Sequence, residues 1–333
     1  MNKKSMNKIE ITYAEAIQNA FDYLLANHDD VFVIGQGLWS PWYVGNTMKN
    51  LEKKYGLDRI IDTPVSESAC TGAALGASIS GMRPIIVHPR MDFMLYAMDS
   101  IVNEAAKWSY MFGGNSSANL TIRSIINRGG EQGAQHSQAL HSWFAHIPGL
   151  RVVMPYSVAD ARDLLISSVL SNDPVLYIDD RWLYEEKDFL EPIEVKPISD
   201  IRPKIVSYGN DITLIATGYS VFLAERARNI LLEENISCEV IDLRIINPFN
   251  SNLICESISK TGSCIAIDGG WRTCGVSSEI LASIIENVSL DKFKNNPKRI
   301  TLSNTPAPTA SNLEIEYYPS VEKIVESVKQ LII

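Results

Sequence analysis

The residue pattern predicts an α/β fold of two domains, each an open, mostly parallel sheet with helices on both faces. Three observations carry that expectation. The 333 residues amount to about two domains at roughly 150 residues each. Short apolar runs, of the kind buried on both faces of a parallel sheet, alternate with segments of helical periodicity. A stretch rich in Pro and charge then interrupts the alternation, which places a first domain at 1–190, a linker at 191–204 and a second domain at 205–333.

The elements follow in order. Ala14, Ile17, Ala20, Phe21 and Leu24 recur at helical spacing behind Thr12, so a capped helix is expected over Tyr13–Asn27. Val31–Ile34 is a short apolar strand that stops at Gly35, and Ile60-Ile61 ends another before Asp62-Thr-Pro64. Ser68–Ser80 reads as an uncharged, buried helix whose Gly72 and Gly76 would admit a close backbone. Strands are expected at Pro84–Val87, Leu120–Ile122, Val152–Met154 and Val175–Ile178, with a helix at Val158–Leu170. Glu185–Asp188, Pro192, Pro197 and Pro203 suit an extended crossing. Beyond it come strands at Ile212–Ala216, Cys238–Ile241 and Cys264–Ile267. Helices are expected at Val221–Glu234, near Gly275–Ile285 and from Ser320.

Composition removes several classes of function. Lys plus Arg is 30 against 39 Asp plus Glu, a net charge of −9. An acidic chain without a basic block suits neither nucleic acid nor an anionic membrane surface. The five cysteines form no CxxC pair, so neither a disulfide framework nor a zinc knuckle is indicated, and reduced thiols in the cytoplasm are expected. Met1–Met6 is basic but no apolar core follows it, which argues against secretion. Ser68–Met82 is uncharged but too short to span a bilayer.

Three clusters are rich in groups that do chemistry. Asn127–Gln138 follows a strand and is dense in Gly, so it is expected as a loop at the carboxyl end of a sheet, where α/β folds bind ligands. In it His136, beside Gln135, Ser137 and Gln138, can donate to an anion or transfer a proton. His141 and His146 have apolar neighbours and read as packing or capping groups. In Asp62–Ser68, two readings of Glu67 stand together. A carboxylate at a helix N-terminus is favoured by the dipole, and one entering an apolar helix is desolvated, which suits it to share a proton with a ligand nitrogen. In His88–Phe93, Arg90 can bind a carboxylate or phosphate. Phe93 and Tyr96 can offer an aromatic face to a planar ring, or Phe93, Met94 and Ala97 are simply the core face of the next helix. No GxGxxG follows a strand, and there is no GxxxxGK[ST] and no HExxH. The Gly-Asp-Gly that opens a thiamine diphosphate magnesium site is also missing, so another chain would have to hold a cofactor diphosphate.

Taken together, these blocks resemble one family. Arg59–Glu67, Ile101–Lys107 with Tyr110-Met111 and Gly113-Gly114, Gln135–Gln138, Pro148–Val153, Val240–Arg244 and Asp268–Trp271 occur in the order seen in the beta subunit of thiamine-diphosphate-dependent 2-oxo acid dehydrogenases, a transketolase-like family. The likeness runs from about Ile11 to the C-terminus. It implies a pyrimidine-binding first domain and a transketolase C-terminal second domain. It further implies that Glu67 bonds the aminopyrimidine of the cofactor, that Phe93, with Tyr96 beside it, stacks on that ring, and that His136 faces the substrate. An alpha subunit would supply the diphosphate and magnesium site in an assembly of two alpha and two beta chains, and a lipoyl acyltransferase would take the acyl group. Potassium, held mostly by main-chain carbonyls, would fall at Leu120, Ser168, Val169, Ser171 and Asp173, with Ser171 replacing the usual Asp.

Two departures from the family pattern stand out. Gly35-Gln36 replaces Gly-Glu, and Val87 replaces an acid. Those acids are thought to carry protons between paired active sites. His88 and Arg90, with Gln135, are then candidates for contacts to a more anionic 2-oxo acid or to a different acceptor. The expected function is the beta subunit of a 2-oxo acid decarboxylase. A two-chain carboligase passing the activated aldehyde to a sugar is the enzymatic alternative, and a non-catalytic assembly subunit is the other.

Overall fold

The computed structural model describes residues 10–332; Met1–Met6 lies outside them. In chain order the strands are β1 (Glu10–Thr12), β2 (Val31–Gln36), β3 (Ile60–Thr63), β4 (Arg83–His88), β5 (Thr121–Ile126), β6 (Arg151–Val153) and β7 (Val175–Asp180). They continue as β8 (Lys187–Phe189), β9 (Lys204–Ser207), β10 (Ile212–Ala216), β11 (Cys238–Asp242), β12 (Ile245–Asn247), β13 (Cys264–Trp271) and β14 (Lys298–Leu302). A seven-stranded sheet has the order β12-β6-β7-β5-β4-β2-β3, and a five-stranded sheet the order β14-β13-β10-β11-β9. All neighbours are parallel except β12 on β6 and β9 on β11. The expected pair of open, mostly parallel sheets is therefore present. β1 and β8 form a separate antiparallel ribbon.

Local chemistry explains the best-defined elements. The first helix spans Tyr13–Asn27, as its periodicity predicts, because Thr12 accepts from Glu15 N while the Glu15 carboxylate accepts from Thr12 N. It packs across the first sheet beside the helix Val158–Val169, and their apolar faces share one cluster with β2 and β7. The small-residue helix runs Glu67–Ile79. At its two glycines no described backbone comes close: a Cβ on Gly76 would meet nothing within 4 Å, and one on Gly72 would meet only Ser100 Oγ at 3.7 Å. The five cysteines are unpaired. No helix among the described residues is long and apolar enough to cross a membrane.

The second domain is stitched into the first. β12 follows β11 by two residues yet pairs with β6 in the other sheet. Between them Arg244 takes φ +62° and reaches Asp160 on the helix Val158–Val169, with Nη2 to Oδ1 at 2.6 Å and Nε to Oδ2 at 3.0 Å. Burial, aided by the negative charge of Asp160, pushes the Asp242 carboxyl up to about 8. One apolar cluster runs unbroken from Ile86 and Ile122 in the first sheet to Ile215 and Ile241 in the second.

At the centre of the first sheet lies a fully buried ion pair. Arg123 on β5 donates to both carboxylate oxygens of Asp179 on β7, at 3.0 and 2.7 Å. Thr47 Oγ1 accepts from Nη1 and Tyr184 Oη from Nη2, and Phe21 covers the guanidinium face at 5.6 Å. Removing one partner strands the other charge in the core. Asp179→Ala is expected to cost about 3–5 kcal/mol, read as a lower denaturant midpoint at unchanged slope. Asp179→Ala with Arg123→Met should recover much of that loss.

Candidate active site

Because β2, β3, β4 and β5 run the same way, the loops that follow them leave from one edge of the sheet. Those loops line a cavity of about 630 Å³. Gly35 and Gln36 come from the end of β2, and Thr63–Glu67 from the turn after β3. His88–Arg90, Phe93 and Tyr96 come from the segment after β4, and Glu131, Gln132 and His136 from the loop after β5. Glycine is required at position 35, since a Cβ there would lie 2.5 Å from Val87 O on the neighbouring strand.

Six of the seven non-metal candidate residues meet here: Glu67, His136, Phe93, Tyr96, His88 and Arg90. Gln135 does not. It is exposed and outside the cavity, which Gln132 lines in its place. Glu67 is the first residue of its helix, half-buried against the cavity, and Ser66 holds the cap position. The segment after β4 divides its side chains between two faces. Met94 and Ala97 are buried in the core, whereas Phe93 and Tyr96 line the cavity, Tyr96 being 74% exposed at its mouth. The segment thus splits, with Met94 and Ala97 on the core face and Phe93 and Tyr96 on the cavity wall.

The substrate-side groups are held by hydrogen bonds and ring contacts. The rings of Phe93 and His136 meet edge to face at 5.2 Å. Arg90 Nη1 donates to His136 O at 3.2 Å, and Asp92 Oδ1 accepts from Gln138 N at 3.0 Å. Burial pushes the Arg90 guanidinium down from its ordinary value, but it stays cationic at neutral pH. His88 is buried, with Nε2 3.1 Å from Thr71 Oγ1, and burial pushes its imidazole down to about 4. Trp42 and Tyr43, which the sequence reading did not single out, add aromatic surface beside Gln36. Their signal was positional: they follow the strand that ends at Gly35-Gln36.

His141, read as a packing or capping group, is buried with Nε2 2.9 Å from Asp268 Oδ1 across the domain junction. Burial alone would raise the Asp268 carboxyl, but His141 and the amides of Gly270 and Ser277 hold it below its ordinary value.

The candidate potassium carbonyls lie elsewhere, and their partners are protein groups. Arg83 Nη1 donates to Val169 O at 3.0 Å and to Ser171 O at 2.7 Å, with Nη2 on Asn172 Oδ1. Leu120 O accepts from Val175 N, and Ser168 O from Ser171 N. A potassium ion on the oxygens of Val169 and Ser171 would press like charge against the guanidinium, so the set does not fit that ion.

The fold and the cavity define a two-domain protein of the transketolase type. The transketolase pyrimidine-binding domain matches residues 9–186, and the transketolase C-terminal domain residues 202–324. The chain belongs, more narrowly, to the family of beta subunits of thiamine-diphosphate-dependent 2-oxo acid dehydrogenases. It is 34% identical over 323 residues to a protein of Rickettsia felis named pyruvate dehydrogenase E1 component subunit beta, covering 97% of this chain and 98% of that one. Mitochondrial proteins of the same name from Oryza sativa and Bos taurus are 36% and 34% identical, covering 96% and 97% of this chain and 86% and 90% of theirs. A split-gene transketolase, solved as an inactive beta4 tetramer, aligns at a TM-score of 0.75 over 97% of this chain and 98% of that one. Its 19% identity makes that a likeness of fold.

The buried His88 predicts a pH dependence of stability. Its folded value lies near 4 and its ordinary value at 6.5. Between those values the unfolded chain binds a proton that the folded chain does not, so stability falls as pH drops through the window, by up to about 3 kcal/mol. Chemical denaturation from pH 7 to 4 should show a shallower decline in His88→Gln than in the wild type. An unchanged slope would mean that His88 is not held neutral.

Proposed function

We propose that this chain forms the cofactor-pyrimidine and substrate side of a 2-oxo acid decarboxylase completed by an alpha subunit. The observation that carries the reading is the convergence of Glu67, Phe93 and His136 on one cavity at the sheet edge. The wall suits a flat, nitrogen-bearing ring, with an aromatic face at Phe93 and a half-buried carboxylate at Glu67. Thiamine diphosphate, when bound, supplies the nucleophilic carbon and the electron sink for decarboxylation. Glu67 holds a proton at the aminopyrimidine nitrogen, because a tautomer shift there needs a carboxylate able to give and take it. Phe93 orients the ring, and Tyr96 lies beside it at the mouth. His136 faces the substrate and donates to its oxygens. Arg90 offsets the negative charge of the 2-oxo acid, and His88, neutral at physiological pH, packs the wall against Thr71. The alpha subunit holds the diphosphate and its magnesium, in an assembly of two alpha and two beta chains. The acyl group then passes to a lipoyl acyltransferase. Pyruvate, the substrate in the relatives' names, is the first acid to offer.

A carboligase that passes the activated aldehyde to a sugar is the second reading, and one observation favours it. Gln36 and Val87, neutral where the family carries acids, both line the cavity. In neither reading is potassium required, because Arg83 places a cation of the chain's own on the carbonyls of Val169 and Ser171.

Two experiments test this. The chain, purified with its alpha subunit and given thiamine diphosphate and magnesium, is assayed on 2-oxo acids with an artificial electron acceptor, then with sugar aldehydes added. Acceptor reduction that aldehydes do not enhance supports the dehydrogenase component. Carbon–carbon bond formation supports the carboligase, and silence from a stable tetramer supports the assembly subunit. Glu67→Gln should lower turnover by about 10²–10⁴-fold with assembly intact, and unchanged turnover removes Glu67 from its role. Replacing potassium by sodium should leave Tm unchanged. A rise of several degrees in potassium alone would show that the folded state binds the ion.

A further inference from the structure

The loop that brings His136 to the cavity is held from both domains: Arg90 and Asp92 hold its far end within the first, and the second reaches its middle. Arg128 Nη1 donates to Gly269 O at 3.4 Å and its guanidinium pairs with Asp180, between the rings of Trp182 and Tyr219. Gly129 N donates to Tyr318 Oη at 3.4 Å. A Cβ on Gly133 would stand 2.7 Å from Thr309 Oγ1. The most telling contact is at Glu131. This residue has a side chain yet sits at φ +61°, the left-handed region that side chains disfavour. Its N–H donates to Glu314 Oε2 at 3.0 Å. Glu314 belongs to the helix Ser311–Tyr317 and is only 7% exposed, and its Oε1 has no partner among the described residues. A buried carboxylate whose hydrogen bond goes to one strained backbone amide fixes the conformation of that amide. Glu131, Gln132 and His136 all line the cavity, so what fixes Glu131 also fixes the approach to His136.

We propose that Glu314 is a positioning residue for the site. A carboxylate of the second domain locks the loop after β5 in the left-handed turn that delivers Glu131, Gln132 and His136 to the cavity. The effect on catalysis rests on the function proposed above; the lock itself does not. The lock acts first on the substrate side, because Glu67 begins the helix after β3 and Phe93 belongs to the segment after β4.

The test uses the full chain assembled with its alpha subunit. In Glu314→Ala, amide hydrogen exchange across residues 128–136 should quicken by about tenfold or more, with the strands unchanged. kcat/KM for the 2-oxo acid should fall by about tenfold or more while affinity for thiamine diphosphate stays as in the wild type. Glu314→Gln, whose amide oxygen accepts the same bond, should restore both. Glu131→Gly, at ease at that φ, should keep slow exchange in the loop. If Glu314→Ala does not fold, Glu314→Asp, one carbon short of Glu131 N, should show the same faster exchange. Loop exchange in Glu314→Ala or Glu314→Asp equal to that of the wild type overturns the lock. Faster exchange with kcat/KM unchanged overturns its role in positioning. Faster exchange in an assembly that acts on no 2-oxo acid sustains the lock and defeats the function proposed above.

Discussion

Parallel strand order is the constraint on which the rest of this molecule depends. In a parallel sheet every chain segment leaves its strand at the same edge. Neighbouring strands lie about 4.8 Å apart, so the ends of β5, β4, β2 and β3 fall within a front of roughly 14 Å. Residues as distant in sequence as Gln36 and His136 thus line one cavity. Close fit between the strands sharpens this. Gly35 leaves no room for a side chain beside Val87, so the two strand ends stay in register where the cavity begins.

A shared edge brings loops together but does not order them, and here the second domain takes part. β12 closes the first sheet, Arg244 ties the domain crossing to Asp160, and His141 meets Asp268 across the junction. Buried charges are costly unless paired, and each of these has a partner on another element. The same holds for Arg128, which lies between Asp180, two aromatic rings and the carbonyl of Gly269. The loop after β5 therefore has both ends tied to the first domain and its middle tied to the second, and its conformation belongs to the pair of domains.

The sequence was most legible where the interactions are local. Thr12 and Glu15 cap a helix three residues apart, and the helix Tyr13–Asn27 has the bounds its periodicity predicts. Ile212–Ala216 is likewise a strand over the expected residues, as a short apolar run between polar turns should be. His136 stood out because its loop follows a strand end, where such folds bind ligands, whereas composition left Glu67 between cap and site and Phe93 between core and site until the family blocks were compared. What was not readable depends on contacts distant in sequence. Nothing in Ile245–Asn247 reveals that it pairs with β6 and not with its nearest neighbours. In the loop after β5, Gln135 and Gln132 are equivalent by composition. Which one faces inward follows from a left-handed residue at Glu131, held by a carboxylate 183 positions away. Two of the carbonyls carried over for potassium accept from Arg83 on a different strand, another contact that composition does not show.

Charge gives the two departures from the family a physical sense. The cavity wall carries the carboxylates Glu67 and Glu131 and the guanidinium Arg90. His88 stays neutral well below physiological pH, and the two carboxylates and one guanidinium of the wall sum to one negative charge. Acids at positions 36 and 87 would have added two more. In a partly desolvated cleft, each like charge within a few ångströms of a bound anion costs far more than it would in water. Glu67 must remain if a ring nitrogen is to exchange a proton there. The economical way to admit an anionic substrate is then to neutralise the positions that do no such work and to place a cation opposite. On the proposed function Gln36, Val87 and Arg90 together do that, each near the end of its strand or just past it. Under the proposed function the altered residues tune one electrostatic quantity, the potential met by an incoming carboxylate, and leave the wall at Glu67 and Phe93 as the family pattern has it.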